Sequence, residues 1–119
     1  MRVMIIGASN NRAKFGNKAL RAYVKQGHEV VPINPHERNI EGLPAHASVA
    51  APTGPFDRAL VYLPPEVGEP VMGELAARGD IAEVWLNPGA DGPRVVAEAE
   101  RLGLNTVRAC AIVDLGLEP

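Results

Sequence analysis

Gly7-Ala8-Ser9-Asn10-Asn11 follows the apolar run Val3-Met4-Ile5-Ile6 and precedes Arg12, Lys14 and Gly16. Small residues let backbone amides come close to an anion. Ser9 can donate a hydroxyl bond, and Arg12 or Lys14 can supply positive charge. A helix opening near Gly16 would add an aligned dipole and free N–H groups. A turn of this kind suits a diphosphate.

The strict dinucleotide fingerprint is absent. G-x-G-x-x-G would need glycine where Ser9 and Arg12 stand. The acid that would bind a ribose hydroxyl at the end of the second strand is replaced by Asn34, and Glu29 lies at the wrong end. The P-loop pattern is missing too. NAD and ATP both lose ground, which favours a phosphate-bearing ligand that needs no such ribose contact.

Other chemistry is thinly supported. Cys110 has no base near it in sequence, and it reads either as a small buried apolar residue or as a thiol in the site. His28, His36 and His46 are dispersed, without metal-ligand spacing. Ser9 and Ser48 are the only serines, and no Ser-His-Asp set can be assembled. Tyr62 and Trp85 stand at strand ends, where each fits either adenine stacking or core packing.

These residues must be held by elements. Val3–Ile6 reads as a strand buried on both faces, and residues 16–26 as a helix with Ala19, Leu20, Tyr23 and Val24 inward. Val30–Ile33 is a second strand ended by Asn34-Pro35. Residues 39–56, rich in glycine and proline, read as a loop with at most one short helix near His46–Ala50. Arg58–Leu63 is a third strand, closed by Pro64-Pro65. A helix then runs to about Arg78, with Val67, Val71 and Leu75 on one face and Pro70 tolerated in its first turn. Glu83–Leu86 is a fourth strand before Asn87-Pro88-Gly89. Asp91 is expected to cap a helix that Gly103 stops. Asn105–Val107 is a short fifth strand, and the apolar tail 109–119 has no clear place. Apolar strands joined by helical crossovers predict an α/β fold, a Rossmann-like, three-layer, doubly wound parallel sheet of about five strands. In such sheets ligands sit beyond the carboxyl ends of the strands.

The 119 residues are 46% hydrophobic and 22% charged, which fits a single globular domain over 1–119. No apolar run approaches a membrane span. We expect no targeting segment and a cytoplasmic protein, with no membrane partner. Net charge is −2, which argues against nucleic acid as a partner. The charge is unevenly spread. Residues 1–28 hold six cations and no acid, while the remaining 91 hold six cations and 14 acids. The positive pole favours an anionic ligand. Lys18, Arg21 and Lys25 share helical spacing and read as a solvated face; Arg12 and Lys14 lie in the loop.

The ordered set V-M-I-I-G-A-S-N, Lys14, Gly16, G-H-E-V-V-P-I-N-P, Ile40, Gly42, V-Y-L-P-P, V-W-L-N-P-G and A-C resembles the small CoA-binding domain proteins. Their Rossmann-type fold also opens the succinyl-CoA synthetase alpha subunit. The resemblance covers nearly the whole chain and implies coenzyme A or an acyl-CoA as ligand. By position, Gly7, Ala8 and Ser9 resemble the phosphate turn, and Asn34-Pro35 the strand end near the nucleotide. Tyr62-Leu63-Pro64 resembles the pantetheine or adenine contact, and Trp85-Leu86-Asn87 the strand end lining the cleft. Asn34 would not repel the 3′-phosphate of CoA as an acid would. His36 and Arg38 read either as its partners or as surface charge. Many relatives have a basic residue where Leu63 stands, and many have an extra helix before the first strand. The synthetase continues into a domain with a phosphorylated histidine, so ligase activity is not expected here.

The sequence therefore reads as a non-catalytic CoA-binding module. Its ligand contacts are expected from Gly7, Ala8, Ser9, Arg12, Lys14, Asn34, Pro35, Arg38, Tyr62, Leu63, Pro64 and Asn87. Two rivals stay open. One is an NAD(P)-linked oxidoreductase or redox sensor. The other is an interaction subunit, whose tail at 109–119 would meet a second copy or a partner chain.

Overall fold

The computed structural model describes residues 1–119. Five strands form one sheet: β1 (Arg2–Ile6), β2 (Glu29–Ile33), β5 (Phe56–Val61), β6 (Ile81–Leu86) and β7 (Thr106–Val107). A separate pair, β3 (Asn39–Ile40) and β4 (Leu43–Pro44), lies between β2 and β5 in the chain. The main helices are α1 (Phe15–Lys25), α2 (Pro65–Arg78) and α3 (Pro93–Arg101), with one turn of helix, α4 (Ala111–Asp114), in the tail.

The main sheet runs in the order β2-β1-β5-β6-β7, all parallel. This is the doubly wound α/β architecture expected. The order turns back at β1: the chain first moves outward to β2, then crosses to β5 on the other side. Two neighbouring crossovers leaving in opposite directions open a crevice at the carboxyl ends of β1 and β5.

Strand periodicity sorts the core into two layers. Met4, Ile6, Ala59, Val61, Val84 and Leu86 pack with Met72, Leu75, Val95 and Ala99 of α2 and α3. Val3, Ile5, Leu60 and Trp85 pack with Ala19, Leu20 and Tyr23 of α1 and with Ala111 and Ile112 of α4. The near-continuous apolar strands thus follow from a sheet covered on both faces.

Several local expectations are corrected. Residues 39–44 form a hairpin, and its turn residues Glu41 and Gly42 both have positive φ, 49° and 79°. Two such residues match the twist of a tight two-residue turn. No helix forms at 46–50; His46 instead bridges to Ile33. Pro70 lies in the second turn of α2, not the first. The buried stripe of α2 is Gly68, Met72 and Leu75; Val71 packs only partly buried at its margin, and Val67 is exposed. Gly92 is the N-cap of α3, and Asp91 accepts a bond from the Gly89 amide at 3.3 Å instead. The tail is tied to the α1 side of the sheet. The Tyr23 hydroxyl donates to the Ala111 carbonyl at 2.9 Å, and the Ala111 amide donates to Asn87 Oδ1 at 2.8 Å.

Candidate functional site

A cavity of about 1050 Å³ opens beyond the carboxyl ends of β1, β2, β5 and β6, across the crevice between β1 and β5. Gly7, Ala8, Ser9, Lys14, Asn34, Pro35, Tyr62, Leu63, Pro64 and Asn87 line it. Arg12 and Arg38 do not. Arg12 faces Glu41 at 3.5 Å across an exposed pair, and Arg38 is exposed on the hairpin side. His36 does line the cavity.

The floor is built by two glycines. Gly7 has φ 89°, and a Cβ there would overlap the Tyr62 carbonyl. A Cβ on Gly16 would overlap the Gly7 carbonyl oxygen. The first turn of α1 therefore rests directly on the β1 turn, which rests on the end of β5. Backbone amides concentrate there as a result. Those of Ala8, Ser9, Phe15 and Gly16 donate to no acceptor within the chain. Two of these are the orphan donors every helix start leaves, and the others belong to the turn. Ser9 Oγ accepts from the Asn11 amide at 3.0 Å, which leaves its proton free to donate outward. Lys14 has no carboxylate within 4 Å. Converging N–H groups at a helix start, with a hydroxyl and an uncompensated ammonium, form an anion cradle.

Asparagines hold this cradle in shape. Asn17 is fully buried; its Nδ2 donates to the Ser9 carbonyl at 2.8 Å, and its Oδ1 accepts from Arg21 Nε at 2.7 Å. Asn34 Nδ2 donates to the Ala8 carbonyl at 2.9 Å, while its Oδ1 accepts the amides of His36 and Glu37. Asn10 joins the turn to the hairpin through the Asn39 carbonyl and the Glu41 amide. Asn87 is 1% exposed; it donates to the Val61 carbonyl at 3.2 Å and accepts from Ala111. Asn34 and Asn87 thus spend their side-chain bonds on the walls.

The opposite half of the cleft is richer in apolar side chains. Leu63 and Pro64 come from the turn after β5, Val67 and Val71 from α2 beside Glu66 and Glu74, and Cys110 and Ile112 from the tail. Arg58 helps fix that tail. Its Nη1 donates to the Tyr23 hydroxyl at 3.0 Å and to Asp114 at 2.8 Å, and its guanidinium covers the Trp85 ring at 4.3 Å. Burial opposes its charge, but the bonds to Asp114 and Tyr23 outweigh that and hold its pKa up. Trp85 is 5% exposed and lies off the cleft. Tyr62 packs against the α1-side core, with a buried hydroxyl that has no partner. Desolvation, with Cys110 and Tyr23 nearby, drives its pKa far above the usual phenol value.

Sequence reasoning missed Asn17, Arg58 and Phe15. Asn17 and Arg58 did leave a signal: each is a polar residue inside an apolar pattern, three residues from Leu20 and two from Leu60.

Comparison with known proteins gives the family. The family of CoA binding domains matches residues 1–116. The chain belongs to that family. This CoA binding domain is 32% identical over 90 residues to the alpha subunit of an ADP-forming acetate–CoA ligase II of Pyrococcus furiosus. The match takes in 73% of this chain and 19% of that subunit, so the domain spans about a fifth of its relative. Among solved structures, it is 30% identical to a conserved hypothetical protein of Pyrococcus furiosus, with a TM-score of 0.83 over 95% of this chain and 97% of that one. The same fold recurs in a dinucleotide-forming acetyl-coenzyme A synthetase of Ca. Korarchaeum cryptofilum, solved with phosphate and ADP. There the identity is 21% and the TM-score 0.77, over 91% of this chain and 25% of that one.

Proposed function

We propose that this domain binds coenzyme A or an acyl-CoA without acting on it chemically. The observation that carries the reading is the cradle of four unengaged amides, Ser9 and Lys14 at the β1–β5 crevice. In this reading the diphosphate lies on the Gly7–Ser9 turn and the start of α1. The pantetheine runs along Leu63, Pro64, Val67 and Val71 toward Cys110 and Ile112. The end of β2 presents no acid to the 3′-phosphate, and His36 is the first basic side chain after it that lines the cleft. That same lack of an acid, with the Asn34 amide already committed to Ala8, removes the ribose contact an NAD-type ligand uses. A cytoplasmic location goes with this reading.

Calorimetric titration with CoA and with 3′-dephospho-CoA tests it. CoA should bind, Lys14→Ala should weaken it about fivefold, and loss of the 3′-phosphate should weaken it further. Failure of both ligands to bind would end the proposal.

A further inference from the structure

The chain has five aromatic residues, and their surroundings differ sharply. Tyr23, Phe56 and Trp85 are at most 5% exposed, and the hydroxyl end of Tyr62 is sealed. Phe15 alone is open, at 54% exposure. It is the first residue of α1 and lines the same cleft as the cradle. Its own amide is one of the four unengaged donors. Lys18, one turn on, places its ammonium 4.9 Å from the ring centroid. Neither Lys18 nor Lys14 has a carboxylate within 4 Å.

An exposed ring at a helix start adds nothing to the core. Beside a phosphate cradle and two uncompensated cations, it has a matching partner: a flat base linked to phosphates. Stacking on a ring is available to every nucleobase, because each has a π-face. We infer that Phe15 is the platform for the purine of the bound nucleotide, which takes the ring face opposite the Lys18 ammonium, with Lys14 facing its phosphates. This rests on the CoA reading above and divides the cleft in two. The adenosine half lies at α1, and the pantetheine half lies between α2 and the tail. It also replaces Tyr62 and Trp85, the aromatics that the sequence offers for stacking, with one that it did not single out.

The test compares wild type, Phe15→Ala and Phe15→Trp by calorimetry, each checked by thermal melting for folding. The ligands are CoA, adenosine 3′,5′-bisphosphate and 4′-phosphopantetheine. Phe15→Ala should weaken CoA and the bisphosphate by a similar factor, about tenfold, and leave phosphopantetheine unaffected. Phe15→Trp should restore both. Unchanged CoA affinity in Phe15→Ala overturns the inference. So does a loss for CoA that the bisphosphate does not share, since the ring would then serve the pantetheine half. Absence of CoA binding by the wild type instead defeats the reading of the cleft, and the stacking role falls with it.

Discussion

Gly16 supports both structure and ligand site through one missing atom. A methyl there meets the Gly7 carbonyl, so α1 must lift away from the β1 turn. Gly16→Ala is expected to destabilise the fold by about 2 kcal/mol and to abolish CoA binding even where the protein stays folded. Paired denaturation and titration measurements check both. Tyr62 predicts the opposite sign. Its hydroxyl is buried without a partner, a desolvated group that nothing repays. Tyr62→Phe should leave the melting temperature unchanged or raise it. The phenols also set an alkaline limit. Burial raises the pKa of Tyr62 and of Tyr23 above the usual phenol value of about 10, so the folded state prefers both neutral. A folded-state pKa above the unfolded one gives stability that is complete below about pH 10 and is lost as pH rises beyond it. Thermal midpoints should therefore fall above pH 10, and less steeply in Tyr62→Phe.

The tail helix exists because other elements hold it. Four residues are too few for a self-supporting helix, and α4 depends on bonds with Arg58 of β5, Tyr23 of α1 and Asn87 just after β6. Asn87→Ala should cost about 2 kcal/mol, since it strands the buried Ala111 amide. Hydrogen exchange should then speed up at residues 111–114 more than in the sheet. This dependence also marks where the sequence stops being legible. The strands and α1–α3 were readable because each carries its own period and its own glycine or proline stop. The tail was not, because it is fixed by contacts far along the chain; the β3–β4 hairpin was not, because its strands have two residues each and Glu41 stands where Asn or Asp would signal the turn. Asp91 shows the same limit: it stands where a capping residue should, yet the chain turns one residue later and uses its carboxylate on Gly89. The site divides in the same way. The small-residue turn was visible as composition. The asparagines that hold it were hidden, because an asparagine bonding a backbone carbonyl and one meeting a ligand look alike in sequence.

Across the whole molecule, charge and cleft coincide. Of the six cations of residues 1–28, Arg12, Lys14 and Lys18 lie at the start of α1, and all 14 acids come later in the sequence. CoA affinity should therefore drop as salt rises, by about threefold or more between ~50 and ~300 mM NaCl, mostly through slower association. An uncharged fragment such as pantetheine should show no such trend. No helix is long and apolar enough to cross a membrane. The two chain ends stand in different relations to the cleft. Arg2 begins β1 at the amino edge of the sheet, whereas Pro119 is part of the cavity wall at the carboxyl edge. Whatever is joined after Pro119 starts at the doorway of the pocket. An affinity tag placed there would crowd the entrance and blunt binding, while the same tag ahead of Met1 would leave it clear.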